Sequence, residues 1–229
     1  DTSGRDLRLS EIRGAIEGAG VYLDVVDFDA CFMGQYEVAL ELHGFIGVMV
    51  GSEDVEPGDG NPYDVFLPQL VSAPTSSPRD LGAIIVDSFA DDYANRGDTS
   101  VTKSALDMAS FGTFHQYVSA LANAIRPSLR EHRIAIRDTI INTQSYDYSF
   151  YRDLGDFAIN LAARDDIPDD IREAAANLAN YIQAEDFMIA NRYFNSPNEG
   201  EVDVSNSHGI SAFLPSFRDL LCPSHASNV

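Results

Sequence analysis

The sequence predicts an α/β protein, and three observations carry that expectation. Val21–Phe28, VYLDVVDF, is a short run of β-branched and apolar residues of the kind a strand buried on both faces shows, and Phe45–Gly51, FIGVMVG, is a second. Between them, Tyr36, Ala39 and Leu40 recur at helical spacing over 35–42, and Gly44 closes the segment. A strand, a crossover helix and a second strand make a βαβ unit, which sets the two strands parallel. With 229 residues and 45% hydrophobic content, the chain can bury a sizeable core.

In chain order, the first ten residues read as a polar loop. Ser10 is placed to cap a short amphipathic helix, SEIRGAIEGAG, with Glu11 in its first turn and glycines at 18 and 20 to stop it. After the first βαβ unit comes the loop Ser52–Pro62, SEDVEPGDGNP, and then a linker at Ala73–Pro78, APTSSP. Arg79–Asn95 reads as a long helix with Leu81, Ile84, Ile85, Ser88 and Phe89 on one face. Thr99–Met108 reads as a third strand ending on Asp107. Phe111–Ile125 and Leu129–Ile141 read as helices broken near Pro127. A further helix opens at Asp153, and another covers Ile167–Ala184 with Pro168 at its start. Phe187–Phe194 and Ser207–Leu214 read as closing strands, joined by the exposed connection SPNEGEVDVSN. There is no internal repeat and no low-complexity tract.

Charge narrows the function classes. The chain has 36 acidic residues against 15 basic ones, a formal net charge of −21, and Lys103 is its only lysine. Such a surface repels nucleic acid and anionic membranes and attracts cations, although an acid-rich surface also serves simple solvation. No stretch of about 18 apolar residues is present, so no membrane span is expected. Cys31 and Cys222 lie too far apart for a metal knuckle, and a disulfide between them stays open. The chain opens on DTSGRD without an initiator Met, as the interior of a longer protein would.

Two places carry chemistry. Cys31 falls where the first strand gives way to the following helix, and ligands of open α/β sheets bind outside the carboxyl ends of strands. A helix N-terminus there favours a thiolate, which suits a nucleophile; a buried small hydrophobe is the alternative. The loop after the second strand carries Glu53, Asp54, Glu56 and Asp59 at the same edge. Those carboxylates suit Ca²⁺, a pocket for a basic side chain, or no more than an exposed acidic loop.

Taken together, FDACFMG and VGSEDVEPGDGNPYD resemble the clostripain family of cysteine peptidases, relatives of caspases, legumains and gingipains. DTSGRDLRLSEI, KSALDMASF, RDLGDFA and SHGISAFLP also fall where that family has similar strings, so the resemblance spans nearly the whole chain. It implies a caspase-like α/β/α sandwich with a mainly parallel sheet, missing its N-terminal strands in this chain. Residues 1–110 would be the C-terminal part of the catalytic core carrying the nucleophile, and 111–229 a helical continuation with closing strands of the same unit.

The resemblance also implies roles. Cys31 matches the nucleophile that forms a thioester acyl-enzyme, its own backbone N–H serving as one oxyanion donor. Asp29 and Asp59 match acidic residues of the S1 pocket, which would select Arg over Lys before the scissile bond. The family's catalytic His lies in a His-Gly segment before the strand that carries Cys, and no His precedes Cys31 here. His43 should lie roughly 15 Å from Cys31 along its helix, whereas proton transfer needs about 3 Å. His208-Gly209 imitates the pair but sits before a strand at the far end of the domain. The base is therefore expected from a light chain of the same precursor, cleaved off between His and Cys. Alone, the chain would expose a sheet edge and be unstable.

No cofactor is required on this reading. Family members are often stimulated by Ca²⁺, which the acidic surplus permits, but no EF-hand spacing names its ligands. A secreted or cell-envelope location in a prokaryote is what the resemblance suggests. A catalytically inactive relative, with the same scaffold acting as a binding module, stays open at this point.

Overall fold

The computed structural model describes residues 7–97 and 99–216. The strands are β1 (Leu23–Asp27), β2 (Ile46–Gly51), β3 (Val101–Asp107), β4 (Tyr151–Asp153), β5 (Met188–Phe194) and β6 (Ser211–Phe213). The helices are α1 (Leu9–Ala19), α2 (Tyr36–Leu42), α3 (Tyr63–Ser72), α4 (Pro78–Arg96), α5 (Phe111–Asn142), α6 (Leu154–Ala162) and α7 (Asp169–Ile182).

One four-stranded sheet runs in the order β1-β2-β3-β5, and β4 pairs with β6 in a separate ribbon. The βαβ expectation holds, since β1 and β2 are parallel with Val25 opposite Val48. The mainly parallel sheet does not hold among these strands. β3 runs antiparallel to both β2 and β5, so the sheet is mixed. The reason is the connection: two helices, α3 and α4, return the chain to the end where β2 finishes, so β3 starts there and runs back, whereas a single crossover helix would carry it to the other end.

Both faces of the sheet are covered. Val48, Val50 and Ala105 pack with Phe66, Ile85 and Val86 of α3 and α4 on one face. Met49 and Leu106 join the larger core on the other, built with α2, α5, α6 and α7. The alternation along β2 and β3 thus feeds two cores, giving an α/β/α sandwich. β2 is buried at every position but Gly47, while the apolar residues of β1 are only half-buried. The expectation of a first strand buried on both faces is corrected by its place, because β1 ends the sheet order. Val21 and Tyr22 just before it are exposed.

Local signals account for several elements. Ser77 Oγ accepts from the Asp80 N–H, Pro78 opens α4, and Gly97 at φ 69° ends it. Other boundaries move. Arg8 rather than Ser10 is the N-cap of α1, with Glu11 accepting from the Arg8 N–H. α5 runs through Pro127 without a break, because a proline at an exposed helical position removes one backbone donor but can still leave the turn in place. The closing segment near 211 leaves the main sheet to pair with β4. No helix among the described residues is long and apolar enough to cross a membrane.

Candidate active site

Cys31 lies beyond the carboxyl end of β1, in a turn where Phe32 adopts φ 58°. α2 begins only at Tyr36, so the helix does not follow Cys31 at once; Gln35 holds its N-cap position without a side-chain cap. What faces the sulfur instead is the acidic loop. The Glu56 N–H donates to Cys31 Sγ at 3.2 Å, and the thiol points back at the Glu56 carbonyl at 3.8 Å. Cys31 is exposed and its thiol free, while Cys222 lies outside the described residues.

Two backbone contacts hold the turn and the loop together. Phe32 N–H donates to Asp54 O at 3.0 Å, and Gly34 N–H to Ser52 O at 2.6 Å. A Cβ on Gly34 would stand 2.8 Å from the Ser52 carbonyl carbon, so the two segments approach as only glycine permits.

The predicted carboxylates gather at this edge with different partners. Asp29 is exposed; its Oδ1 accepts from the Asn61 N–H and its Oδ2 from the Tyr63 hydroxyl, each at 3.0 Å. Gly60, at φ 66°, makes room for it: a Cβ there would lie 2.6 Å from Asp29 Oδ1. Asp59, with its side chain 77% exposed, accepts from Arg96 Nη1 at 2.6 Å. Arg96 also bridges Asp92 and lies over the Tyr93 ring, and the Tyr93 hydroxyl donates to Gly60 O. The C-terminal turn of α4 therefore braces the loop that carries Asp59.

The other loop acids are turned inward, so the four do not converge. Glu53 is buried and accepts from the Gly209 N–H; Asp54 is buried and accepts from the Val55 and Asp147 N–H groups. Glu56 Oε1 accepts from Lys103 Nζ at 2.6 Å. The loop carboxylates thus form no shared Ca²⁺ cage, and among the described residues no cluster of His, Cys, Asp and Glu has the geometry to hold a metal ion.

Sequence reasoning missed Lys103, whose side chain is fully buried. Its ammonium contacts Phe28 O at 2.9 Å, Asp27 Oδ1 at 3.5 Å and the Phe89 ring. Burial raises the Glu56 carboxyl to about 7 in spite of the Lys103 charge beside it. Burial likewise raises Asp27, again against the pull of Lys103. The signal available in the sequence was the solitary lysine of an otherwise arginine-only chain.

A second polar cluster lies around the start of β6. Asp153 caps α6, and its carboxylate also takes the His208 N–H at 2.6 Å and His208 Nδ1 at 2.9 Å. That hydrogen bond raises the His208 imidazole above its ordinary value. Burial, with Asp153 next to it, holds the Glu53 carboxyl well above the carboxylate range. His43 rests against the Phe111 ring at 5.2 Å, and His115 Nδ1 pairs with the Tyr36 hydroxyl at 2.7 Å.

The profile of peptidase C11, the clostripain family, matches residues 1–219. A comparison with curated proteins gives no match. Among solved structures, a clostripain from Bacteroides thetaiotaomicron ATCC 29148 in complex with the peptide inhibitor BTN-VLTK-AOMK superposes with a TM-score of 0.70 at 20% identity, over 98% of this chain and 92% of that one. A secreted cysteine protease of the same family from B. thetaiotaomicron, iotapain, gives 0.69 at 20% identity over 96% of this chain and 58% of its own. An inactive zymogen from Parabacteroides distasonis gives 0.60 at 17% identity over 92% and 57%. The chain thus spans little more than half of those last two proteins.

Proposed function

The chain belongs to the clostripain family of cysteine peptidases, and from that premise we propose that it is the nucleophile-bearing heavy chain of an endopeptidase that cleaves after basic residues, Arg before Lys. One observation carries the reading: an exposed thiol at the carboxyl end of β1 shares its edge with two carboxylates on the adjoining segments, Asp29 and Asp59. Cys31 attacks the scissile carbonyl as thiolate and forms a thioester, expelling the amine; water then hydrolyses the thioester. The Cys31 backbone N–H serves as one oxyanion donor.

Asp29 and Asp59 form the acidic wall of the S1 pocket. Arg96 on Asp59 supports this, since the loop already accepts a guanidinium in a direct ion pair. The inhibitor bound to the B. thetaiotaomicron clostripain has a peptide ending in Lys, which agrees with a basic residue before the cleaved bond.

On this reading the proton acceptor is supplied by a partner and not by the described residues, where His132 lies beside Asp166; His225 lies outside them. His43, His115 and His208 are engaged with Phe111, Tyr36 and Asp153, while the hydrogen bonds of the Cys31 sulfur run to Glu56. The half-buried end strand β1, with Val21 and Tyr22 exposed beside it, offers an edge for a light chain of the same precursor. Secretion from a bacterial cell is proposed by analogy with the secreted neighbour.

The test is the peptidase reconstituted from this chain and its precursor's N-terminal segment, assayed on Arg-, Lys- and Ala-P1 reporter peptides. Cleavage after Arg that is lost on Cys31→Ala supports the reading. Activity that survives Cys31→Ala, or that this chain shows in full without any partner, overturns it.

A further inference from the structure

We propose that Lys103 and Glu56 act as a positioning pair for Cys31, clamping the acidic loop to the end of β1 so that the Glu56 backbone N–H stays against the nucleophile's sulfur. The inference rests on the reading of Cys31 as the nucleophile.

Three observations converge. Lys103 is the only lysine among 15 basic residues, and its side chain is 0% exposed. Its ammonium joins the two segments that make the site, since it donates to Phe28 O at the end of β1 and to Glu56 Oε1 on the loop. Glu56 is the same residue whose N–H reaches Cys31 Sγ at 3.2 Å. The clamp and the donor to sulfur therefore share one residue.

Stability alone does not account for such a pair. A buried ion pair is commonly no better for folding than apolar residues of the same volume, because two charges must leave water. This one is imperfectly satisfied as well, with Glu56 Oε2 and Asp27 Oδ1 buried without a hydrogen bond. What an apolar pair would not supply is direction: a charge-assisted contact fixes where Glu56 sits, and with it the N–H that steadies a thiolate. A compact ammonium suits the space under the Phe89 ring, 4.9 Å away, between β1 and the loop. Asp27, Asp29, Glu56 and Lys103 are the charged groups that face this point.

The test is the pH dependence of Cys31 alkylation by iodoacetamide, followed by mass spectrometry at the Cys31 peptide of the full chain. It compares the wild type with Lys103→Met, Glu56→Gln and the double variant. If the pair only tuned the local field, removing the cation would slow alkylation and removing the anion would speed it. If it positions the Glu56 N–H, all three variants are slower, by about tenfold at pH 7, with the thiol midpoint about one pH unit higher. In the double variant the carboxylate left closest to the Lys103 position is Asp27, whose Oδ2 still accepts from Asn61 Nδ2 at 2.8 Å, so that variant decides the matter where a single variant fails to fold. It should be no slower than the slower single variant, because both act through one contact. Faster or unchanged alkylation in Glu56→Gln, or a wild-type rate in the double variant, overturns the proposal. Loss of peptidase activity on Cys31→Ala tests the nucleophile separately, so failure of that reading is distinguishable from failure of this one.

Discussion

Neighbouring residues of one strand serve two polar clusters on opposite faces of the sheet, and the two accommodate buried charge differently. On the α4 face, Lys103 meets Glu56 beneath the Phe89 ring. On the other face, Ser104 Oγ donates to Gly209 O, beside the cluster of Glu53, Tyr146, Asp153, Ser207 and His208. The first cluster is built on a cation and lies under an exposed thiol. The second is built on carboxyl groups, of which burial raises Glu53 well above the carboxylate range, and it joins the acidic loop to β4 and β6. The contrast teaches that the acidic loop is anchored on both sides of the sheet, with only Asp59 of its four acids left largely to solvent.

The contrast can be broken most sharply at Asp59. In the reconstituted peptidase, Asp59→Ala should lower kcat/KM for Arg-P1 substrates by roughly tenfold to a hundredfold and leave Ala-P1 substrates near the wild type. An equal loss on both would assign Asp59 to loop structure instead.

Asp153→Ala addresses the second cluster. It leaves the His208 ring, the His208 N–H and the first turn of α6 without their acceptor, and should cost about 3–5 kcal/mol in urea unfolding. Glu53→Gln should cost under about 1 kcal/mol, because a neutral amide replaces a carboxyl whose charged form burial already disfavours.

Protonation separates the clusters further. Glu56 binds its proton more tightly folded than unfolded, so the folded state holds more protons between pH 4.5 and about 7. Stability must then fall as pH rises through that window, by on the order of 2 kcal/mol from this group. A flatter profile of unfolding free energy against pH in Glu56→Gln checks it. His208, raised by Asp153, acts with the same sign at higher pH: its contribution is full below 6.5 and fades as pH rises through its folded value. The smallest effect belongs to Arg96→Gln. Freeing Asp59 from an exposed ion pair should lower KM for Arg-P1 peptides by about twofold to threefold.

Much of the site could be read from residues near one another in sequence. The strand ending at Cys31, the glycine-rich loop and the positions of Asp29 and Asp59 are local patterns, and the structure brings them to one edge. The direction of β3 was not legible, because it depends on how α3 and α4 pack and not on the strand's own residues. Pro127 signals a helix end in any local reading, yet α5 continues past it. Lys103 pairs across 47 positions with a residue that composition marks only as one acid among many. His208 looked like a misplaced His-Gly pair, and only the fold brings Asp153 to its ring.

The central claim is that Cys31 is the nucleophile of a pocket for basic residues. The most direct measurement treats the reconstituted protein with a peptidyl-Arg electrophile and locates the adduct by mass spectrometry. A single adduct on Cys31, suppressed by excess Arg-P1 peptide but not by an Ala-P1 peptide, is the predicted result. An adduct elsewhere, or labelling of Cys31 that ignores the P1 residue, would contradict the account.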